Sequence, residues 1–354
     1  MRYVEIHPGT VALHDGDPPS PAPDEARVRV LACGVCGTDV HALHGMVLPR
    51  GATYPVRPGH EVVGIVEELG PQAAEDTELS IGDSVVLHPL IPCGRCPACY
   101  RGEDQRCSHV VTLGFELPGG MAEQVCWPAS RMVVVNGLPP AEAALLPDAA
   151  ATAYHALSYA DLPPDGVLCV MGAGGIGLNV LKLAQALYPS ASLAAVVRRE
   201  ASAERVRRLG AFPVVGLDAS HRTVRDAVGP AHAVIDFSGA RQAAGEAVRM
   251  LSRGGRLILG SVLDEPIMLG TTVTGVTARE ISVIGAYVSS LAELEAVAKL
   301  ALDGEVSLSD AVSKQYPLDE APAALQMAAD RPPGFVRAVL DIGGDGSTEA
   351  APWT

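Results

Sequence analysis

The stretch PCGRCPACYRGEDQRC, residues 92–107, sets four cysteines at the spacing Cys93-x2-Cys96-x2-Cys99-x7-Cys107. Thiols this close can form disulfides, run redox chemistry or hold a metal, and the segment alone does not choose among them. Other chemistry-bearing residues are dispersed. LACGVCGTDVHALHG carries Cys33, Cys36, Thr38, Asp39 and His41, RPGHEVVGIV carries His60 and Glu61, and LPDAAATAYHAL carries Asp148 and Thr152. Cys36, His60 and either Asp148 or Glu61 are ligand types that zinc takes. A catalytic zinc binds three protein groups and keeps a fourth position for water or substrate. Cys33 and Cys36 also form a CxxC pair, but the pair ends a β-like run instead of opening the helix of a thioredoxin-like unit, which argues against a redox motif.

A third constellation is Gly172-x-Gly174-x-x-Gly177, with Gly175 and Ile176 inside it, in VLCVMGAGGIGLNVLKLA. A GxGxxG by itself is weak in a chain with 37 glycines. Here it follows an apolar run and opens a helical pattern, the context a dinucleotide site requires. The first glycine makes the turn, the second lets a pyrophosphate approach, and the third lets helix pack on strand, with the helix N-terminus facing the phosphates. The next strand reads LAAVVRRE. The position where an NAD site carries an acid falls near Val197, followed by Arg198 and Arg199. Two guanidinium groups without a carboxylate favour a 2′-phosphate, hence NADP(H). NAD(H) stays open, because Glu200 enters if the strand end lies a residue further on.

The elements that must position these groups divide the chain by texture. Residues 1–147 hold short β-like runs, turns and prolines, such as EARVRVLACG, HEVVGIVEELG, DSVVLHPL, MAEQVCWP and RMVVVNG. From 148 to 287 strands alternate with helices. VLCVMG, LAAVV, AVIDFSG, GRLILGSV and ISVIGAY read as strands; GIGLNVLKLAQALY, SAERVRRLGA (ending at Gly210) and RQAAGEAVRML read as helices. That alternation implies a parallel, doubly wound sheet. Over 288–342 two helices, in SLAELEAVAKLALDG and LDEAPAALQMAAD, precede the strand FVRAVLDI, a segment expected to return to the first domain. Residues 343–354 read as a loose tail.

Bulk properties exclude some function classes. The 354 residues suit two domains, and 48% hydrophobic residues can fill both cores. The formal charge is −15, with no basic run beyond Arg198-Arg199 and Arg207-Arg208, so the footprint of a nucleic-acid binder is missing. No apolar run reaches the ~20 residues that span a bilayer, and MRYVEIHPGT has no signal-peptide core. The expectation is a cytoplasmic protein, where Cys clusters mean metal or redox chemistry more often than disulfides. Cys126 and Cys169 read as buried small apolar residues.

Taken together, GVCGTDVH, PGHEVVGIV, CGRCPACYRGEDQRC, GAGGIG and YPLDEAPAAL…GFVRAVL resemble the zinc-dependent medium-chain alcohol dehydrogenases over residues 1–342. The resemblance implies an α/β fold, with a β-rich GroES-like catalytic domain and a Rossmann doubly wound parallel-sheet cofactor domain. It implies two zinc ions per chain. Cys36 and His60 would bind the catalytic one, with Asp148 as an acidic third ligand where some members have Cys, and Glu61 as a nearby carboxylate and possible ligand. Cys93, Cys96, Cys99 and Cys107 would hold a structural zinc on a lobe at 92–108; four thiolates close the site and add folding energy.

The implied reaction moves hydride between a secondary alcohol or polyol, or the matching ketone, and NAD(P). Zinc would acidify the alcohol, and the interdomain cleft would align it with the nicotinamide. By resemblance Thr38 takes the hydroxyl proton and relays it through the cofactor ribose to His41. Asp39 would orient His60, Thr152 would contact the nicotinamide and Arg337 would reach the pyrophosphate. An aldehyde or enone reductase, or a non-catalytic or redox-sensing zinc protein, are the competing readings. The partner implied is a small-molecule alcohol or ketone, and a homodimer or homotetramer is expected, with GRLILGSV as the edge strand available for pairing across subunits.

Overall fold

The computed structural model describes residues 1–263 and 265–343. It forms two compact units: Met1–Asp148 together with the chain from Ser289 onward, and Ala149–Val288. Residues beyond Gly343, where the sequence suggests a loose tail, lie outside those described. Gly343 itself donates its N–H to the Leu31 carbonyl at 3.0 Å.

The first unit is organised around the strand Glu25–Val35, whose alternation sends Ala26, Val28 and Val30 inward at 0% exposure. Burying one such valine contributes about 1.5–3 kcal/mol. This strand lies between Glu61–Leu69 and Arg337–Asp341, antiparallel to both, and also pairs with Gln124–Pro128. The path across the sheet runs Val312–Pro317, Arg337–Asp341, Glu25–Val35, Glu61–Leu69, Ser84–Leu87, Met132–Val134. The returning helix Leu291–Leu302 starts on a reciprocal cap: the Ser290 N–H donates to Glu293 Oε2 at 2.8 Å, and Ser290 Oγ accepts the Glu293 N–H at 3.3 Å.

A buried polar chain ties the cysteine-rich lobe to this returning segment. Arg131 Nη2 donates to Asp104 Oδ2 at 2.6 Å and to His88 Nδ1 at 2.8 Å. Asp104 Oδ2 also accepts the Leu291 N–H at 3.2 Å, and His88 Nε2 lies 3.1 Å from the Ser289 carbonyl. Burial, helped by the Arg131 charge, depresses His88 to about 4, so the ring is neutral and can accept from Arg131.

In the second unit six parallel strands run in the order Phe212–Val215, Ser192–Val197, Val167–Met171, Ala231–Asp236, Leu251–Leu259, Ser282–Gly285. Val167–Met171 is buried along its whole length, as the central strand of a doubly wound sheet should be. The order reverses beside it, which is where such sheets take their ligands. The helix Glu200–Arg208 ends before Gly210, whose φ of +63° suits glycine.

Two sequence expectations need correction. Phe212–Val215 is a strand that the pattern above does not pick out; it is four residues long and contains Pro213, tolerable because it sits at the sheet edge. GRLILGSV is not an edge: Leu251–Leu259 is paired on both sides, and Ser282–Gly285 is the outer strand. Among the described residues no helix is long and apolar enough to cross a membrane.

The Arg131–Asp104 pair has side chains only 12% and 11% exposed. Arg131→Ala leaves a buried carboxylate without its cation and is expected to cost roughly 3 kcal/mol. A urea titration reads this as a lowered midpoint; an unchanged midpoint would show that the pair does not hold the lobe.

Candidate metal centre and cofactor loop

Cys36 stands where the strand Glu25–Val35 gives way to the short helix Gly37–Leu43. A helix therefore does open at the CxxC pair, which the sequence reading did not expect. Cys36 caps it, and its N–H donates to Asp39 Oδ2 at 2.8 Å. His60 directly precedes the strand Glu61–Leu69. Asp148 lies on a π-helical turn, Leu146–Ala150, between two α-helical segments. These pieces bring Cys36 Sγ within 3.3 Å of Asp148 Oδ2, and His60 Nε2 within 3.7 Å of the same oxygen. All three donors lie within 4.8 Å of one another and all three residues are buried.

Zinc at about 2.3 Å from sulfur and about 2.0 Å from nitrogen and oxygen sets tetrahedral donors roughly 3.3–3.6 Å apart. The set fits that ion. Glu61 is not part of this donor set.

Charge supports the same fit. Cys36, Asp39, Glu61 and Asp148 are buried acids gathered around one permanent cation, Arg337. Burial pushes Glu61 well above the usual carboxylate range, although Arg337 opposes it. Asp39 is also raised by burial, against His60 and the Cys36 N–H. Burial alone would lower His60, but Asp39 and Cys36 carry it well above its ordinary value. Cys36 goes the other way: burial and Asp148 raise it, but Arg337 and His60 bring it below its ordinary value. A pocket that draws protons onto Asp39, Glu61 and the His60 imidazole is short of positive charge, and a divalent cation would supply it.

Asp39 Oδ1 lies 3.6 Å from His60 Nδ1, on the side of the ring away from Asp148, where an orienting carboxylate belongs. Thr38 Oγ1 is 3.7 Å from Cys36 Sγ. His41, one helical turn further along, is exposed and lies in the last turn of the helix. Burial, with Arg331 and His44 nearby, lowers its pKa.

Sequence reasoning missed what holds Glu61. Its Oε1 lies 3.1 Å from Arg337 Nη2, and Arg337 Nη1 donates to the Val35 carbonyl at 3.3 Å. Arg337 is thus buried against Glu61, a placement its expected role toward pyrophosphate did not anticipate. A Cβ on Gly34 would lie 2.0 Å from Glu61 Oε2, so the glycine provides the room for this carboxylate. Phe115, also missed, sets its ring 6.1 Å from the His60 ring. No local pattern marks either contact, since each depends on strands or loops far apart in the chain.

The four clustered sulfurs lie within 4.8 Å of one another and form no disulfide. Cys96 and Cys99 are 3.4 Å apart and Cys93 and Cys99 3.9 Å, near the roughly 3.8 Å of a tetrahedral four-thiolate zinc. Cys107 Sγ accepts N–H groups from Cys93 and His109. The backbone N–H of Cys99 and the Cys99 thiol lower Cys96 to about 6, so a thiolate ligand is accessible at neutral pH. Cys169 is buried as expected, whereas Cys126 is only half-buried.

The glycine loop connects the strand Val167–Met171 to the helix Gly177–Leu187. Gly172 has φ +88°, and a Cβ there would come 2.7 Å from Ser238 Cα. A Cβ on Gly177 would lie 1.9 Å from the Gly172 carbonyl oxygen, the close helix-strand packing expected of the third glycine. At Gly174 a Cβ would meet nothing within 4 Å, leaving open the surface a pyrophosphate needs. Gly175 and Ile176 complete the turn, and Ile176 caps the helix. Ser192–Val197 ends at Val197, with Arg198 exposed and Arg199 capping the next helix. Glu200 belongs to that helix and pairs with Arg207 Nη2 at 2.8 Å. Thr152 is buried in the first turn of Ala151–Ser158.

Residues 22–137 match the alcohol dehydrogenase GroES-like domain, and residues 175–303 match the zinc-binding dehydrogenase domain. An alcohol dehydrogenase of Geobacillus stearothermophilus is 32% identical over 289 residues, covering 80% of this chain and 82% of that protein. The chain belongs to the zinc-type medium-chain dehydrogenase/reductase family. It is an oxidoreductase of the alcohol dehydrogenase type. A medium-chain relative from Mycolicibacterium smegmatis, an erythritol/L-threitol dehydrogenase, is 27% identical over 93% of this chain and 94% of its own. Among solved structures, the alcohol dehydrogenase of Aeropyrum pernix superposes with a TM-score of 0.85 at 29% identity, covering 96% of this chain and all of that one.

Cys99→Ser opens the four-sulfur set without touching Cys36, His60 or Asp148. Zinc per chain, measured by elemental analysis after dialysis, is expected to fall by about one, and the melting temperature by several degrees. Unchanged zinc and unchanged melting would mean that the lobe holds no metal.

Proposed function

We propose that this protein is a two-zinc, NADP(H)-preferring dehydrogenase that interconverts a secondary alcohol or polyol and its ketone. The observation that carries the reading is the buried Cys36–His60–Asp148 set, with three donors at zinc spacing. Zinc, when bound there, makes a neighbouring alcohol hydroxyl acidic enough to lose its proton near neutral pH, and NADP+ accepts the hydride.

The chain's own residues do the rest. Cys36, His60 and Asp148 hold the metal, and Asp39 restrains the imidazole. Glu61, held by Arg337, lies outside the donor set. Thr38 Oγ1 is placed beside Cys36 to take the substrate's proton, and His41 stands one turn on, at the surface, to release it to water. Gly172, Gly174 and Gly177 seat the pyrophosphate, while Arg198 and Arg199 favour a 2′-phosphate where no carboxylate waits for a free ribose hydroxyl. The polyol assignment draws on the acidic third ligand, which resembles polyol-type members, and on the erythritol/L-threitol relative.

Initial rates with secondary alcohols and polyols, NADP+ and NAD+ side by side, test the proposal. The expectation is clear turnover with NADP+, weak turnover with NAD+, and a shift toward NAD+ in Arg199→Asp. Turnover with neither cofactor in either direction would overturn it, and an unchanged cofactor ratio in Arg199→Asp would place the 2′-phosphate elsewhere.

The relay makes a pH prediction. A neutral His41 is needed to accept the proton, and its pKa is lowered from the ordinary value. Alcohol oxidation should therefore keep its His41 contribution at neutral pH and lose it only as pH falls through that lowered value. His41→Gln is expected to slow oxidation about tenfold to a hundredfold at neutral pH, with partial rescue by imidazole buffer. A variant as fast as the parent, insensitive to imidazole, would remove His41 from the path.

A further inference from the structure

The second unit contains a basic cavity of about 840 Å³ that the dehydrogenase reading does not use. His221, Arg225, His232, Arg249, Arg253 and Arg279 line it, with Pro230, Leu251 and Ser252. It lies at the amino ends of the parallel strands: Pro230 precedes Ala231–Asp236, Leu251 begins Leu251–Leu259 and Arg279 precedes Ser282–Gly285. The glycine loop follows Val167–Met171 at the carboxyl ends. The cavity is therefore a separate place from the cofactor loop.

Four guanidinium groups converge in a chain whose formal charge is −15. A structural role accounts for part of this. Arg225 Nη1 donates to the Arg249 and Leu251 carbonyls, each at 3.3 Å, and Arg279 donates to the Val248 and Leu251 carbonyls. Those carbonyls end the helix Ala243–Met250, so the two arginines cap it. Arg253 Nη1 donates to the Ala278 carbonyl at 2.7 Å.

Capping does not exhaust the arginines. Each guanidinium has five N–H donors, and these bonds use one or two. Backbone carbonyls also carry no net charge to balance the cations. The only carboxylate paired with the cluster among the described residues is Glu246, 2.7 Å from His221 Nδ1 and 2.9 Å from Arg249 Nη1. His232, which also lines the cavity, accepts the Val167 N–H at Nδ1 at 3.0 Å, which leaves Nε2 as its hydrogen donor.

We infer that this cavity is a second ligand site that binds a polyphosphate group, as a free chain or carried on a nucleotide. The forked arginines match phosphate oxygens in pairs. Three of them, Arg225, Arg253 and Arg279, have no carboxylate partner among the described residues, so a multiply charged anion would meet them without displacing a protein carboxylate. The cavity is open to solvent, and its volume exceeds what a single phosphate fills.

The test is calorimetry on the zinc-loaded protein without cofactor, titrated with tripolyphosphate or ATP at low salt; binding at the glycine loop is told apart because Arg249 and Arg253 lie away from it. Saturable binding is expected, weakened tenfold or more in Arg249→Ala and in Arg253→Ala, both of which alter exposed side chains. Tighter binding of ATP than of tripolyphosphate would identify a nucleotide as the ligand; equal or weaker binding would show that the phosphates alone are read. Metal chelation by the probe would be the same in parent and variants. The inference is overturned by no saturable binding at millimolar probe, or by equal affinity in parent and both variants.

Discussion

The first unit depends on how a buried excess of acid is balanced. Cys36, Asp39, Glu61 and Asp148 lie in a dry region with Arg337 as their permanent cation. Taking a single carboxylate out of water without a partner costs several kcal/mol, more than most local contacts return. The architecture answers this with position. The strand Glu25–Val35 is flanked by the strands that carry Glu61 and Arg337, which brings the two side chains to the same side of Gly34 and Val35. The negative charge that Arg337 leaves unbalanced suits Cys36, His60 and Asp148 to a divalent cation.

Features that depend on neighbours in sequence were legible. The requirement for Gly172 is a local backbone angle, and that for Gly177 is a contact across one turn, so both stand out in the short motif from Gly172 to Gly177. The clustering of the four cysteines is similar, since all four lie in one short segment. The central strands showed as apolar runs because both faces are covered. What failed was long-range or marginal. The Glu61–Arg337 pair and the room for it at Gly34 arise from a register between strands about 300 residues apart in sequence. Phe212–Val215 is short, carries a proline and is half exposed, so it has no run to recognise. The misplaced edge strand has the same cause: pattern separates strands from helices but does not order the strands.

Asp148 shows how a candidate ligand can be visible in the sequence while its placement is not. The segment LPDAAATAY reads as the start of a helix, and Pro147 gives no sign of the wider turn there. In the structure Leu146–Ala150 winds as a π-turn, a form found mostly at functional sites. The wider turn carries Asp148 toward Cys36 and His60. In the same turn the chain passes from the first unit, which ends at Asp148, into the second.

The discontinuity of the first unit has a consequence for biogenesis. Ala149–Val288 is one uninterrupted piece and can close its sheet as soon as it is synthesised. The sheet that frames Cys36 and His60 cannot, because the strand that carries Arg337 is synthesised only after the whole of Ala149–Val288. Until then Glu61 has no counter-charge and Glu25–Val35 has an unpaired side. An early truncation would therefore release a chain whose Rossmann half is complete and whose catalytic half is an open-edged sheet, the kind of species that chaperones hold and that joins other chains.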